Sequence, residues 1–260
     1  MMLAALSLTQ REIVRFLRQR SRVVGVLAPP LLFWFLIGSG LGGTLQLDPA
    51  THAQNSLEFL FPGTLLLIML FTAIFSTISV IEDRREGFLQ SVLVAPGWRG
   101  GLVLGKMLGG TVLALVQVLL VLAAGAFVGL RLGVVPLLLT AAVLFVIAFG
   151  FTGLGFLIAW RLDSTQGFHA VMNLLFMPMW ILSGALFPSE GAPVWLRVVM
   201  LLNPMRHALD ALRLAMASAA EPRSWGSGAL LPFAVSCAFA LVMLGAGLWL
   251  TNERGAGEVS

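Results

Sequence analysis

The stretch FLFPGTLLLIMLFTAIFSTISVIEDRREG, residues 59–87, joins two patterns that belong in different surroundings. Residues 59–81 carry no charge, which is enough apolar chain for a helix to cross a hydrocarbon core, a task that takes about 20 residues. Five charged residues then follow without interruption at 82–86, in a chain where only 11% of residues are charged. The apolar run sets the fold class, and the charged island poses the functional question.

The rest of the composition points to the same environment. The chain has 260 residues, 58% of them hydrophobic, and a mean hydropathy of +0.96. A soluble domain carries about a quarter charged residues, far more than here. The net charge of +4 and pI near 10.9 do not indicate nucleic acid, because the arginines lie in connections between apolar runs, where they orient a membrane protein. Cys237 stands alone in an apolar run and reads as a small packing residue, outside any disulfide framework or metal cluster. The first apolar run follows Arg-rich sequence as a signal peptide would, but its length of about 20 residues and lack of an A-x-A site mark it as a retained span.

Six segments are long enough to span, at about 23–43, 58–80, 102–128, 134–160, 168–186 and 229–250, so an all-α integral membrane protein is expected. The third and fourth exceed the bilayer and are expected to tilt. Arg11, Arg15, Arg18, Arg20 and Arg22 precede the first span; Arg84, Arg85, Arg99 and Lys106 surround the second connection, and Arg161 and Arg254 share that side. Arg131, Arg197, Arg206, Arg213 and Arg223 lie opposite, the last four in a long connection that weighs less in orientation. Both termini and the island are therefore expected in the cytoplasm. Trp98, Trp160 and Trp249 at one level and Trp195 and Trp225 at the other suit an interfacial belt, whereas Trp34 and Trp180 read as packed within the bundle.

Few residues suggest chemistry. Gly100, Gly105 and Lys106 begin a phosphate-loop pattern, but Met107 replaces the Mg²⁺-binding hydroxyl and no strand precedes it. Gly101, Gly105 and Gly109 instead form G-x-x-x-G steps that admit a neighbouring helix. Gln117, Asn173 and His169 are too few for an ion relay, and Gln117 and Asn173 read as interhelical hydrogen-bonding groups. His52, His169 and His207 lie far apart, without metal-ligand spacing, so no metal site is expected. Arg206, Asp210 and Arg213 are spaced as a helix-surface ion network.

Two cytoplasmic segments remain. Arg11, Arg15, Arg18 and Arg22 fall on one helix face, which suits either a helix along an anionic leaflet or a plain topogenic flank. In the island, Phe88, Leu89, Val92, Leu93 and Ala95 can share one side of a helix ended by Pro96 and Gly97. From residue 82 to 95 such a helix extends about 21 Å, too short to span. Arg84 and Arg85 serve topology, but Glu82, Asp83 and Glu86 contribute little to it. The mixed charges suit a protein partner.

REGFLQSVLVAPGWRGGLVLGK, residues 85–106, resembles the second-to-third-span loop of type-two ABC exporter permeases, with Gly87, Pro96, Arg99, Gly105 and Lys106 on its recurrent positions. LLNPMRHALDALR, residues 201–213, resembles that family's Asn-Pro and Asp-Ala-x-Arg segment. Two positions depart from the pattern: Phe88 stands where Thr is frequent and Gln90 where Glu is frequent. Gln90 hydrogen-bonds but forms no ion pair, which leaves Glu86 or Asp83 to supply charge. The resemblance implies a coupling helix at about 82–96, whose Glu82, Asp83, Arg84, Arg85, Glu86, Gly87, Phe88 and Gln90 meet a separate cytoplasmic ABC ATPase.

By the same resemblance, ATP binds that partner while this chain holds no cofactor or metal. Residues 1–260 would form one transmembrane permease domain of a bacterial inner-membrane exporter, paired with a second permease protomer as homodimer or heterodimer. The first and fifth spans would lie near that interface. The outer connection, with Asn203, Pro204, Arg206, Asp210 and Arg213, would form short helices dipping toward the membrane. The cargo would be an amphipathic drug, lipid or lipid-linked glycan, and the membrane lipids the only other partner. Pro29, Pro30 and Pro178 read equally as hinges or static kinks. The competing expectation is a polytopic membrane enzyme or assembly factor of envelope or lipid metabolism without ATP coupling.

Overall fold

The computed structural model of the chain describes residues 2–19, 56–89, 100–125, 133–186, 193–217 and 230–257, with helical residues at 24–25, 27–28, 31–32 and 35–36. Regular structure among them is entirely helical. In chain order the helices are α1 (Met2–Arg18), α2 (Ser56–Arg85), α3 (Gly100–Gly125), α4 (Val134–Arg161), α5 (Thr165–Trp180), α6 (Val194–Leu202), α7 (Pro204–Ala217) and α8 (Leu230–Gly257), with a π turn, Ile181–Ala185, continuing α5. Five stretches among the described residues are long and apolar enough to cross a membrane: Phe59–Arg85, Gly100–Gly125, Val134–Arg161, Thr165–Ala185 and Leu230–Thr251. The expected first span, with Pro29 and Pro30, lies mostly outside the described residues.

Local sequence explains where the helices start and stop. Ser164 caps α5 by accepting the Gly167 amide at 3.2 Å, and Asn203 caps α7 by accepting the Met205 amide at 3.0 Å, ahead of Pro204 in the first helical position, where a missing N–H costs nothing. The end of α2 corrects one expectation. Residues 82–85 do not start a separate helix; they are the last turn of α2, because Glu, Asp and Arg all tolerate helix. The break comes at Gly87, whose φ of 75° is the left-handed geometry open to glycine. Phe88 and Leu89 are helical again, and residues 90–96 lie outside the described residues.

In the apolar span of α2, 89% of residues are buried, against 22% in α8; α2 is thus the central helix and α8 a peripheral one. Leu65, Leu66, Ile68 and Met69 show why: all are without exposure, although they point in different directions around the helix, the signature of a helix enclosed on every side. Around α2 pack α3, α4, α5 and α7, while α8 rests on α4 and α7. Lipid offers no hydrophobic force to join such helices, so small residues that allow close contact do much of the joining. Gly110 marks the tightest crossing: a Cβ there would meet Ser76 Oγ of α2 and, at 2.6 Å, Thr152 Cγ2 of α4.

Two tryptophan and cysteine expectations need correction. Trp160 is 2% exposed, with the Arg84 guanidinium 5.7 Å from its ring, so it faces protein and not the membrane interface. Cys237 is exposed on α8. Trp180 is buried, as expected, and donates from Nε1 to the Gly63 carbonyl at 2.8 Å.

Candidate functional site: the charged junction of α1, α2 and α3

The island's aspartate is the centre of a buried ion network. Arg11 donates to Asp83 from both guanidinium nitrogens, at 3.1 and 2.9 Å. Arg15 donates to it at 2.7 Å, and the Lys106 ammonium bonds it as well. Each carboxylate oxygen thus accepts twice, which uses the full capacity of the group. Lys106, buried inside α3, also donates to Glu12 at 2.6 Å and Ser79 at 3.0 Å. An ionised residue inside a span requires such partners. The hydrogen bond to Asp83 holds the Arg11 guanidinium pKa above its usual range.

The neighbouring island residues tie down the rest of this end. Arg15 pairs with Glu82 and Glu86, each at 3.1 Å. Arg11 lies 3.8 Å over the Phe88 ring, a cation–π contact. Arg84 donates to the Leu162 carbonyl at 3.2 Å, the Asp163 carboxylate at 2.7 Å and the Trp160 carbonyl; Arg85 donates twice to the Asp163 carbonyl, at 3.1 and 2.7 Å. One short charged run therefore fastens α1, α3 and the turn between α4 and α5. Of its side chains, Arg85 and Glu86 are exposed. Gln90 lies outside the described residues.

Packing reinforces the charges. A Cβ on Gly105 would stand 2.8 Å from Leu8 Cβ and 3.1 Å from the Ala5 carbonyl; on Gly109, 2.8 Å from Glu12 Cβ. These two glycines receive α1, whereas a Cβ on Gly101 would meet none of the described residues within 4 Å. Phe16 is buried against Leu113. The basic face of α1 is thus not laid on a lipid leaflet at Arg11 and Arg15; it is turned onto the island. Sequence reasoning missed Glu12 and Ser79 as members of this network, and treated Lys106 only as a motif position. The available signal was a lysine within an apolar span, which demands a counter-charge.

At the opposite end, the connection formed by α6 and α7 holds the broken terminus of α5. The π turn and Gly184, with φ 90°, leave backbone carbonyls outside a regular ladder. Asn203 donates to the Met179 carbonyl at 2.6 Å, and Arg213 to the Gly184 carbonyl at 3.1 Å, with its guanidinium 5.0 Å from the Phe59 ring. Arg206 and Asp210 pair at 3.7 Å. Asn203→Ala is expected to cost about 1–3 kcal/mol, because it removes a cap and leaves a carbonyl unsatisfied. Asn203→Ser, which keeps only a capping oxygen, is expected to fall between; thermal unfolding in detergent measures both.

Within the bundle, Thr72 donates to the Gln117 side chain at 2.8 Å, an α2–α3 link. The His169 ring lies tilted against Phe75, with centroids 5.3 Å apart. Among the described residues, no three His, Cys, Asp or Glu side chains gather as metal ligands.

A bundle of apolar spans with its ionic groups kept to the two ends, apart from Lys106 and its counter-charges, defines a polytopic membrane protein. The chain belongs to the ABC-2 type transporter family, whose profile matches residues 4–217. It is 27% identical over 208 residues to the transport permease ycf38 of Cyanophora paradoxa, covering 79% of this chain and 71% of that one. It is 28% identical over 153 residues to the multidrug ABC transporter permease YbhR of Escherichia coli K12, covering 58% and 42%. To the daunorubicin resistance ABC transporter permease protein DrrB1 of Streptomyces coeruleorubidus it is 24% identical over 219 residues, covering 82% and 75%. The protein is a multi-pass membrane permease subunit of an ABC transporter.

Proposed function

We propose that this permease is the membrane half of an exporter in the bacterial inner membrane, with both termini and the charged junction in the cytoplasm. In this reading residues 1–260 act as one six-span permease domain and work as a dimer with an identical or related protomer. A separate ATPase grips the chain at the island and the segment after it, residues 82–96, with Arg85 and Glu86 as the exposed contact charges. The observation that carries the reading is the bracing of that island: α1, α3 and the α4–α5 turn are fastened to it by Asp83, Arg84 and Arg85. A push on such a piece moves several spans together, whereas a merely topogenic loop has no need of that bracing.

The relatives named for multidrug and daunorubicin resistance favour an amphipathic cargo. A cavity of about 180 Å³ between α2 and α5, with Phe71, Phe75 and Phe176 as aromatic walls and His169 and Asn173 as polar groups, has room for part of such a cargo only. Leu174, 80% exposed on the outer side of α5, supports a second protomer on that face.

The test is to co-purify the permease with candidate ATPases and compare wild type with Gly87→Pro and Glu86→Arg. Proline cannot adopt the positive φ of residue 87, so insertion is expected to persist while transport falls to background. Glu86→Arg is expected to weaken ATPase retention. Unchanged transport by Gly87→Pro would refute the assignment.

A further inference from the structure

At the end of the bundle that carries the charged junction, Arg11, Arg15, Arg84, Arg85 and Lys106 all bond to protein atoms. Arg161, in the last turn of α4, is exposed. It stands at a groove of about 370 Å³ where α4, α5 and α8 meet, walled by Leu157, Ile158, Val171 and Ala246, with Trp249 beside it. Among the described residues lining this groove none is acidic, and Trp249 is 58% exposed.

We propose that the groove is a resident site for one anionic phospholipid, with an acyl chain along the apolar wall and the phosphate on Arg161. The inference needs only that the chain is a membrane protein, whatever its cargo and motor. Three features select this occupant. The groove borders α8, the least buried span, so it lies at the perimeter that lipid reaches. An extended peptide placed at that depth would bring backbone groups that nothing in an apolar wall satisfies. A guanidinium on an apolar stem, next to an indole, matches the phosphate level of a leaflet, and an anionic headgroup meets it without the opposing cation of a choline lipid. The site is separate from the cavity between α2 and α5.

The experiment titrates the purified permease with phosphatidylglycerol or phosphatidylcholine and counts retained lipids by native mass spectrometry. Wild type is expected to keep one phosphatidylglycerol with a preference of about tenfold, the scale of one charge-assisted contact. Arg161→Gln removes the preference and Arg161→Lys retains most of it. Arg18→Gln, at another exposed arginine, leaves it unchanged. Ala246→Phe, or Val171→Phe if the first variant loses its helical circular dichroism, fills the groove and abolishes retention of both lipids with the charge intact. A preference surviving in Arg161→Gln, retention surviving a filled groove, or no lipid held by wild type overturns the proposal.

Discussion

Asp83→Asn is expected to release α1 from the bundle. The substitution keeps the shape of the side chain but puts an NH₂ where an oxygen accepted two donors. It also leaves Lys106, Arg11 and Arg15 facing one another without their shared anion. Removing one partner of a buried ion pair costs about 3–5 kcal/mol, at least a hundredfold or so in the docking equilibrium. Thiol labelling reads this directly: Ala5 is buried where α1 crosses α3, so Ala5→Cys, in a Cys237→Ser background that removes the exposed native thiol, should label slowly in wild type and about a hundredfold faster with Asp83→Asn. Adding Lys106→Met removes one of the three cations left facing one another but takes from Glu12 its 2.6 Å partner, so it should recover only part of the loss, with a coupling of about 1–3 kcal/mol between the two sites. Labelling that stays slow in Asp83→Asn would mean that the network does not hold α1.

The second large effect comes from packing at the same place. Gly105→Leu puts a side chain against Leu8 Cβ and the Ala5 carbonyl; a backbone atom cannot swing aside, so α1 must move. Overpacking of this kind costs about 1–3 kcal/mol, more when a helix is displaced. Displacement also withdraws Glu12 from Lys106, now 2.6 Å away, so the steric lesion becomes an electrostatic one. At Gly101, one turn earlier, a Cβ meets no described residue of α1 within 4 Å, so Gly101→Leu should displace that helix less than Gly105→Leu does. Unfolding in detergent and the same thiol reporter compare the two. Equal effects would show that α1 does not seat on α3 as described.

The two expectations together give the charged island a double role. Its acids do not all face outward for a partner. Asp83 is spent inside the protein, and Arg84 and Arg85 are held by the 162–164 turn, which leaves Glu86 and the face of Arg85 as what the surface offers. A buried network of this kind is weak evidence of net stability, because desolvation offsets much of its attraction. Its value here is geometric: it admits one register of α1 against α2 and α3.

The long apolar spans were legible from sequence because apolar length is a local quantity; the caps at Ser164 and Asn203, a side-chain oxygen reaching an amide two or three residues on, emerged only in the structure. The partners of Asp83 were not legible either, since Lys106, Arg15 and Arg11 lie 23, 68 and 72 residues from it. Nothing in a spacing pattern chooses among the other arginines. Rotation was hidden for the same reason. Trp160 was placed at the right depth but on the wrong side, and Gly101, Gly105 and Gly109 read alike although only the latter two meet α1. By itself the sequence determined which described segments are long and apolar enough to cross a membrane, because hydropathy acts over a few residues, but it did not place the end of α2. Only the tertiary structure decided which face of each helix is inward and which charge meets which, because those depend on how helices far apart in the chain are turned against one another.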